Sequence, residues 1–421
     1  MNRIVARASQ CLGVLGLAVF VFQFHPVKSG AQPVPSLPDQ RAADLAALDR
    51  FVRDSYAFLP IKATDWKTAI SALMPRARAA RDDTAWLHVL EEALDALYDG
   101  HTQLNTNAPD SWRPVPYGLW VQPNNGRYIV TAVQRGSLPE RTGVRPGDEL
   151  VAIDGVSVSQ LYESRRPRFL TRADPDADAW ALASAVAGRH NSRYELLIRR
   201  AGRESVLTPS GTTPARDDVE WKRVGRDIGL IAIATFAPNR VVLAFDRALE
   251  ALRNTRGLIV DVRSNAGGDT AIARPVIGRL ITARRQYAWM TSRNGPGLGP
   301  RRPEFVDARG PWTYSAPVVV LVDRFSVSMA EGFAMALAGL GRARIVGTRM
   351  ARLGAAVGRI ELPYSKIAVQ ISTEPVYAID GTPRWELEPD VVVNPLGRAE
   401  GNDPFIAAAI EELDRRRRAT R

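Results

Sequence analysis

The chain has 421 residues, 24% of them charged and 45% hydrophobic, with a formal net charge of +11. That length supports two or three cored domains, and the composition is ordinary for a soluble globular protein, which excludes a disordered or fibrous chain. The positive charge is spread along the sequence, and no zinc-finger, phosphate-loop or dinucleotide pattern accompanies it, so nucleic-acid and nucleotide functions are not indicated.

Residues 1–31 read as a signal peptide. Arg3 and Arg7 form a basic start, Cys11 to Phe24 is an apolar run, and Ser29-Gly-Ala31 offers small residues for cleavage. The expected location is therefore exported, periplasmic, the alternative being an inner-membrane anchor facing the periplasm. Cleavage removes the single cysteine, leaving neither a disulfide nor a thiol nucleophile. A proline-rich linker is expected over 32–40. Three apolar-periodic segments follow, the first through Leu45, Leu48, Phe51 and Val52, then Trp66–Ala80 and Trp86–Leu97, and predict a helical domain over 41–107.

Over 112–212 the pattern changes to short strands with Pro-Gly and Asp-Gly turns around Glu149–Ile153, and a helical insertion at 160–190. This stretch resembles a PDZ domain. The resemblance makes Tyr117, Gly118, Leu119 and Trp120 the loop that binds a peptide C-terminus, the peptide adding as a strand. From 218 to 400 strands alternate with helices, predicting an α/β domain with a largely parallel sheet. The strands are expected at Ile228–Ala234, Gly257–Val262, Val318–Val322, Arg344–Gly347 and Ala368–Ser372. Residues 401–421 read as a terminal helix with a basic tail. Its Arg415–Arg418 cluster is a solvated face or a weak contact with anionic surfaces, hence membrane-surface proximity.

Three segments carry chemistry. Ser328 sits between the buried strand Val318–Val322 and an apolar-periodic helix, where free amides can hold an oxyanion. It is equally the cap of an S-x-x-E box closed by Glu331. Asp261-Val-Arg-Ser-Asn-Ala-Gly-Gly268 follows another buried strand, and its paired glycines allow close backbone approach. Asp99-Gly-His101-Thr supplies a histidine able to act as a base near neutrality.

In this order, with Glu388-Pro-Asp-Val391 near the end, these marks resemble the C-terminal processing (tail-specific) serine peptidases, a family that also includes the tricorn core and retinoid-binding repeats. The resemblance implies an α/β catalytic domain with a ClpP/crotonase-like layered core, an N-terminal helical domain and an inserted PDZ-like β domain. It also implies a serine-type endopeptidase acting on polypeptides or their C-termini without a cofactor or metal. The dyad lysine of the tail-specific branch is missing, Leu353 standing in its place. Arg349 and Arg352 cannot deprotonate, and Lys366 falls in a hairpin turn. The tricorn-like branch instead implies Ser328 as nucleophile and His101 as general base. Glu386 orients the histidine, with Glu388 second and Glu374 third, and Asp390 is structural. Met329 and either Gly267 or Gly268 donate to the oxyanion. The rival readings are an inactive PDZ-containing peptide-binding scaffold and a small-ligand carrier.

Overall fold

The computed structural model describes residues 35–190, 193–208, 217–397 and 403–419, so the signal-peptide segment and the start of the linker lie outside the described residues. The linker ends sooner than expected. A helix already begins at Leu37, with Asp39 in its first turn, where a carboxylate favours the positive end of the dipole.

The helices Leu37–Ser55, Trp66–Ala79 and Asp83–Asp95 appear where the periodicity places them, the latter two capped by Asp65 and Asp82. They bury Leu45, Leu48, Leu73, Trp86 and Leu90 in a common core. Leu362, Val369 and Ile371 of a later hairpin belong to the same core. The helical segment therefore shares its core with the C-terminal half.

The PDZ-like region is a sheet of strands Leu119–Asn124, Arg127–Val133, Glu149–Ile153, Leu196–Arg200 and Arg203–Leu207, in that spatial order. The helix Pro175–Ala187 lies against its Leu119–Asn124 edge. Peptide recognition by strand addition uses an edge strand with a helix beside it in this way.

The larger domain is built on a sheet ordered Val391–Val392, Ala343–Gly347, Val318–Val322, Leu258–Asp261, Ile228–Ile233 and Val219–Val224, parallel except for the last, antiparallel strand. Continuous apolar runs such as Val318–Val322 are buried throughout, as a sheet covered on both faces requires. Helices Arg240–Ala251, Thr270–Gly278 and Met329–Gly339 cover one face; Ala409 and Leu413 of the terminal helix Pro404–Ala419 cover the other. Part of the Arg415–Arg418 cluster is engaged there, Arg415 pairing with Glu412 at 2.7 Å and Arg416 bonding the carbonyl of Val318 at 3.0 Å.

A second, antiparallel sheet is made of Gln103–Leu104, Ala368–Tyr377, Arg285–Met290, Arg302–Val306 and Ala355–Glu361; the strand expected at Ala368–Ser372 lies here, paired with Ala355–Glu361 across a hairpin, and not in the parallel sheet. Its strands carry arginines, prolines and glutamates on exposed positions, so they lack the apolar run that marks the parallel strands. Leu258–Asp261 and Val318–Val322 end side by side, and the loops leaving them carry the two central motifs. In parallel sheets ligands bind at such strand ends.

Candidate active site

Ser328 has φ +54° and ψ −109°, a conformation that costs a non-glycine residue about 1–3 kcal/mol and persists only where its surroundings enforce it. The enforcement is visible. Asp323 is buried and accepts N–H bonds from Phe325 and Ser264, both at 2.9 Å. Ser326 Oγ donates to the Val262 carbonyl at 2.8 Å, and Val327 N–H to the Asn265 carbonyl at 3.1 Å. The two motif-bearing loops are thereby locked together. Asp261 anchors the second loop through Arg263 Nη2 at 2.7 Å and Arg135 Nη2 at 2.7 Å. Burial alone would raise its pKa, but the two guanidinium groups hold it well below the usual carboxylate range. Arg135 belongs to the PDZ-like region, and its N–H also donates to Ser264 Oγ at 2.9 Å.

Glu331 is fully buried and accepts N–H bonds from Ser328 at 2.8 Å, Arg352 at 2.7 Å and Leu353 at 3.0 Å. Its carboxyl is pushed up to about 7 by burial, against the opposing pull of Arg384 and those amides. The reading of Glu331 as the group that holds the turn agrees with these bonds. It also ties the Ser328 backbone to the segment where a dyad lysine would stand.

The oxyanion expectation separates into two parts. Gly267 N–H donates to Asn265 Oδ1 at 2.8 Å and is committed to the loop. Among the described residues, the N–H groups of Gly268 and Met329 have no acceptor, so these two are available to an oxyanion. A Cβ at Gly268 would lie 2.3 Å from the Phe236 carbonyl carbon, and one at Gly267 3.0 Å from Ser328 Cβ. Both glycines are there for close approach, at φ +140° and +78°.

His101 is 5% exposed. Its N–H donates to Asp99 Oδ1 at 2.9 Å, and its carbonyl accepts from Gln370 Nε2 at 3.0 Å. Burial lowers the imidazole to about 4, with Asp99 partly opposing and the Arg384 cation adding to the fall. A Cβ on the preceding Gly100 would meet Leu353 Cδ2 at 3.0 Å, so the histidine's turn abuts the residue that replaces the dyad lysine. His101 Nδ1 is buried with no hydrogen-bond partner, and among the described residues none joins the ring to Ser328 Oγ. Glu386 lies exposed on the short turn Arg384–Glu386. Glu388 pairs with Arg349, and Glu374 with Arg302 at 2.8 Å. None of the three is bonded to His101 here. Asp390 accepts the Ile345 N–H at 2.7 Å and pairs with Arg344 at 2.9 Å, a structural role. Lys366 stands exposed, 3.6 Å from Glu361.

Sequence reasoning overlooked Arg384. It is buried and donates to the carbonyls of Leu353 at 2.5 Å and Ala355 at 2.9 Å, supporting the same segment from behind. A lone arginine next to tryptophan gives no sequence signal for such a role. In the expected peptide loop, Gly118 N–H donates to Gln134 Oε1 at 2.9 Å and Leu119 N–H to the Tyr117 carbonyl at 2.7 Å. Trp120 and Gln122 line a cavity of about 330 Å³ together with Ala179, Trp180 and Ala183 of the neighbouring helix and Arg324, Leu353 and Gly100. The strand–helix groove of the PDZ-like region thus opens toward the serine-bearing loop.

Residues 227–393, which hold the paired glycines, Ser328 and Glu386, match Peptidase family S41, and residues 110–173 match the PDZ domain. Residues 227–393 form a Peptidase family S41 domain. It is 28% identical over 240 residues to the carboxy-terminal processing protease CtpB of Bacillus subtilis (strain 168), covering 55% of this chain and 45% of that protein. It is 26% identical over 327 residues to a carboxyl-terminal-processing protease of Synechocystis sp., covering 71% and 68%. The chain therefore spans about half the length of the Bacillus relative and two thirds of the cyanobacterial one. Mature CPAF shares its fold at a TM-score of 0.63 and 17% identity, covering 90% of this chain and 96% of that one. The photosystem II D1 C-terminal processing protease does so at 0.56 and 19%, covering 90% and 98%. The S41 family consists of serine-type hydrolases of peptide bonds, and the inactive-scaffold reading is not favoured.

Proposed function

We propose that this chain is an exported serine peptidase of the C-terminal processing type, with Ser328 as nucleophile and His101 as general base. The observation that carries the reading is the strained backbone of Ser328 beside two unengaged amides, those of Met329 and Gly268. A helix start leaves the Met329 amide free in any case, but a cap needs neither the strain nor the free Gly268 amide beside it. Ser328 Oγ attacks the scissile carbonyl as its proton passes to His101. The carbonyl oxygen, now negative, is received by the Met329 and Gly268 N–H groups. Collapse of the tetrahedral species expels the amine, which takes the proton from His101, and water repeats the sequence on the acyl-enzyme. Neutral His101 is available for the first transfer because burial keeps it unprotonated. Glu386 is the proposed partner of the imidazole; its carboxylate is exposed and has no ion pair among the described residues, and a shift of its turn would bring it into use.

The PDZ-like region would deliver polypeptide chains through the groove between Leu119–Asn124 and Pro175–Ala187. Export rests on the basic, apolar and small-residue order of residues 1–31. Among the described residues no helix is long and apolar enough to cross a membrane.

Labelling with a fluorophosphonate probe tests the assignment. The native chain should label, Ser328→Ala should not, and His101→Ala should label far more slowly. A native chain inert to the probe from pH 5 to 9 would sink the peptidase reading.

A further inference from the structure

Arg324 precedes the nucleophile by four residues and projects into the cavity that contains the PDZ-like groove. Its guanidinium carbon lies 5.0 Å from the centroid of the Trp120 ring. The other cations lining this cavity are engaged. Arg349 pairs with Glu388, Arg352 with Asp176 at 2.8 Å, and Lys62 Nζ donates to the Tyr98 carbonyl at 3.2 Å. Arg324 has no hydrogen bond and no ion pair among the described residues, and the nearby Glu388 is already taken. Burial, then the like charges of Arg349 and Arg352, lower its pKa to about 10. A half-buried cation among cations, with an aromatic platform and no counter-ion, is an arrangement that a bound anion relieves.

The expected anion-binding element beside it is occupied. The Gly118 and Leu119 amides of the Tyr117–Trp120 loop are both bonded within the loop's own surroundings. Trp120, the last residue of that loop, is the residue on which Arg324 stacks.

We propose that Arg324, stacked on Trp120, is a carboxylate seat in the substrate cleft, supplied by the peptidase domain where the PDZ-like loop offers no free Gly118 or Leu119 amide. It rests on the peptidase reading. The planar fork of arginine suits a carboxylate. Four residues of chain span at most about 14 Å, so the carboxylate it holds lies within a few residues of the bond presented to Ser328. Two parts of a polypeptide supply that group: a free chain end or an Asp or Glu side chain.

The test measures binding to the full chain carrying Ser328→Ala, so that an unreactive serine and an absent seat give different results. Fluorescently labelled hexapeptides are compared by anisotropy as free acid against C-terminal amide, and, within the amides, with an internal Glu against Gln. The expected result is a preference of about tenfold or more for a carboxylate-bearing member. Arg324→Gln should reduce that ratio to near one with an unchanged melting temperature, and Arg324→Lys should restore part of it. Preference for the free acid alone identifies the chain end; preference for Glu alone identifies a side chain. Absence of any preference, or a preference that survives Arg324→Gln, overturns the proposal.

Discussion

The two sides of the candidate site are built to different standards. On the serine side, Asp323, Ser326, Asn265 and Glu331 fix the backbone of Ser328 through hydrogen bonds of 2.7–3.1 Å, and glycines let the Gly268 loop approach to contact distance. On the histidine side, the backbone of His101 is held but its ring is not: Nδ1 has no partner, and Glu386 is turned to solvent. Under the proposed mechanism, preorganisation is thus concentrated where negative charge would develop, at the oxyanion, where fixed dipoles give the largest return. The proton-transfer side is left to be completed by the substrate or by a shift of the Arg384–Glu386 turn.

That asymmetry can be broken in graded steps. In peptide hydrolysis, Ser328→Ala and His101→Ala should each lower kcat by about 10⁴-fold or more, and the double variant should lose little beyond either single one, because the pair acts as a unit. Gly268→Ala should lower kcat by about 10²- to 10³-fold, the displaced amide no longer reaching the oxyanion. Near-native turnover in that variant would remove Gly268 from the oxyanion site. Glu386→Gln should cost about tenfold in kcat, less than the histidine itself, since Glu386 is not bonded to the ring in this conformation. An unaltered rate would leave His101 and Ser328 as a dyad.

The pH profile probes the same difference. Burial depresses the His101 pKa to about 4 from 6.5, so the imidazole remains a neutral proton acceptor as pH falls through that interval. The acid limb of kcat/KM should therefore lie near pH 4 rather than near 6.5. The sign for stability is the same. Between pH 6.5 and 4 the unfolded chain binds a proton at this residue that the folded chain does not, so this residue lowers stability as pH falls across the window. Urea denaturation of His101→Ala should show a weaker decline than the native chain over the same range.

Much of this architecture was legible in the sequence because it depends on periodicity and on motif order. The helices at 37–95, the strand Val318–Val322 and the turn carrying Ser328 are local consequences of apolar spacing and of glycine placement. The second sheet was not legible, since Arg302–Val306 and Ala355–Glu361 put charged residues on exposed positions and find their partners far along the chain. The linker's last residues were assigned by proline content, whereas Leu37 and its successors are drawn into a helix by the core that Leu45 and Leu48 join. Within the site, residue identities could be read, but commitments could not. The hydrogen bond from Gly267 to Asn265 separates its amide from that of Gly268, and the ion pairs of Arg349 and Arg352 separate them from Arg324 in the same cavity.

With Ser328 as the proposed nucleophile, its backbone sets a limit on how robust this protein can be while it remains an enzyme. At φ +54° and ψ −109°, glycine is the residue the chain would accept most comfortably. Ser328→Gly should therefore raise the unfolding free energy, by about 1 kcal/mol, while removing the hydroxyl on which turnover depends. The substitution that makes the molecule sturdier is the one that silences it. A higher melting temperature in a variant at this position is thus evidence of chemistry given up for comfort of fold.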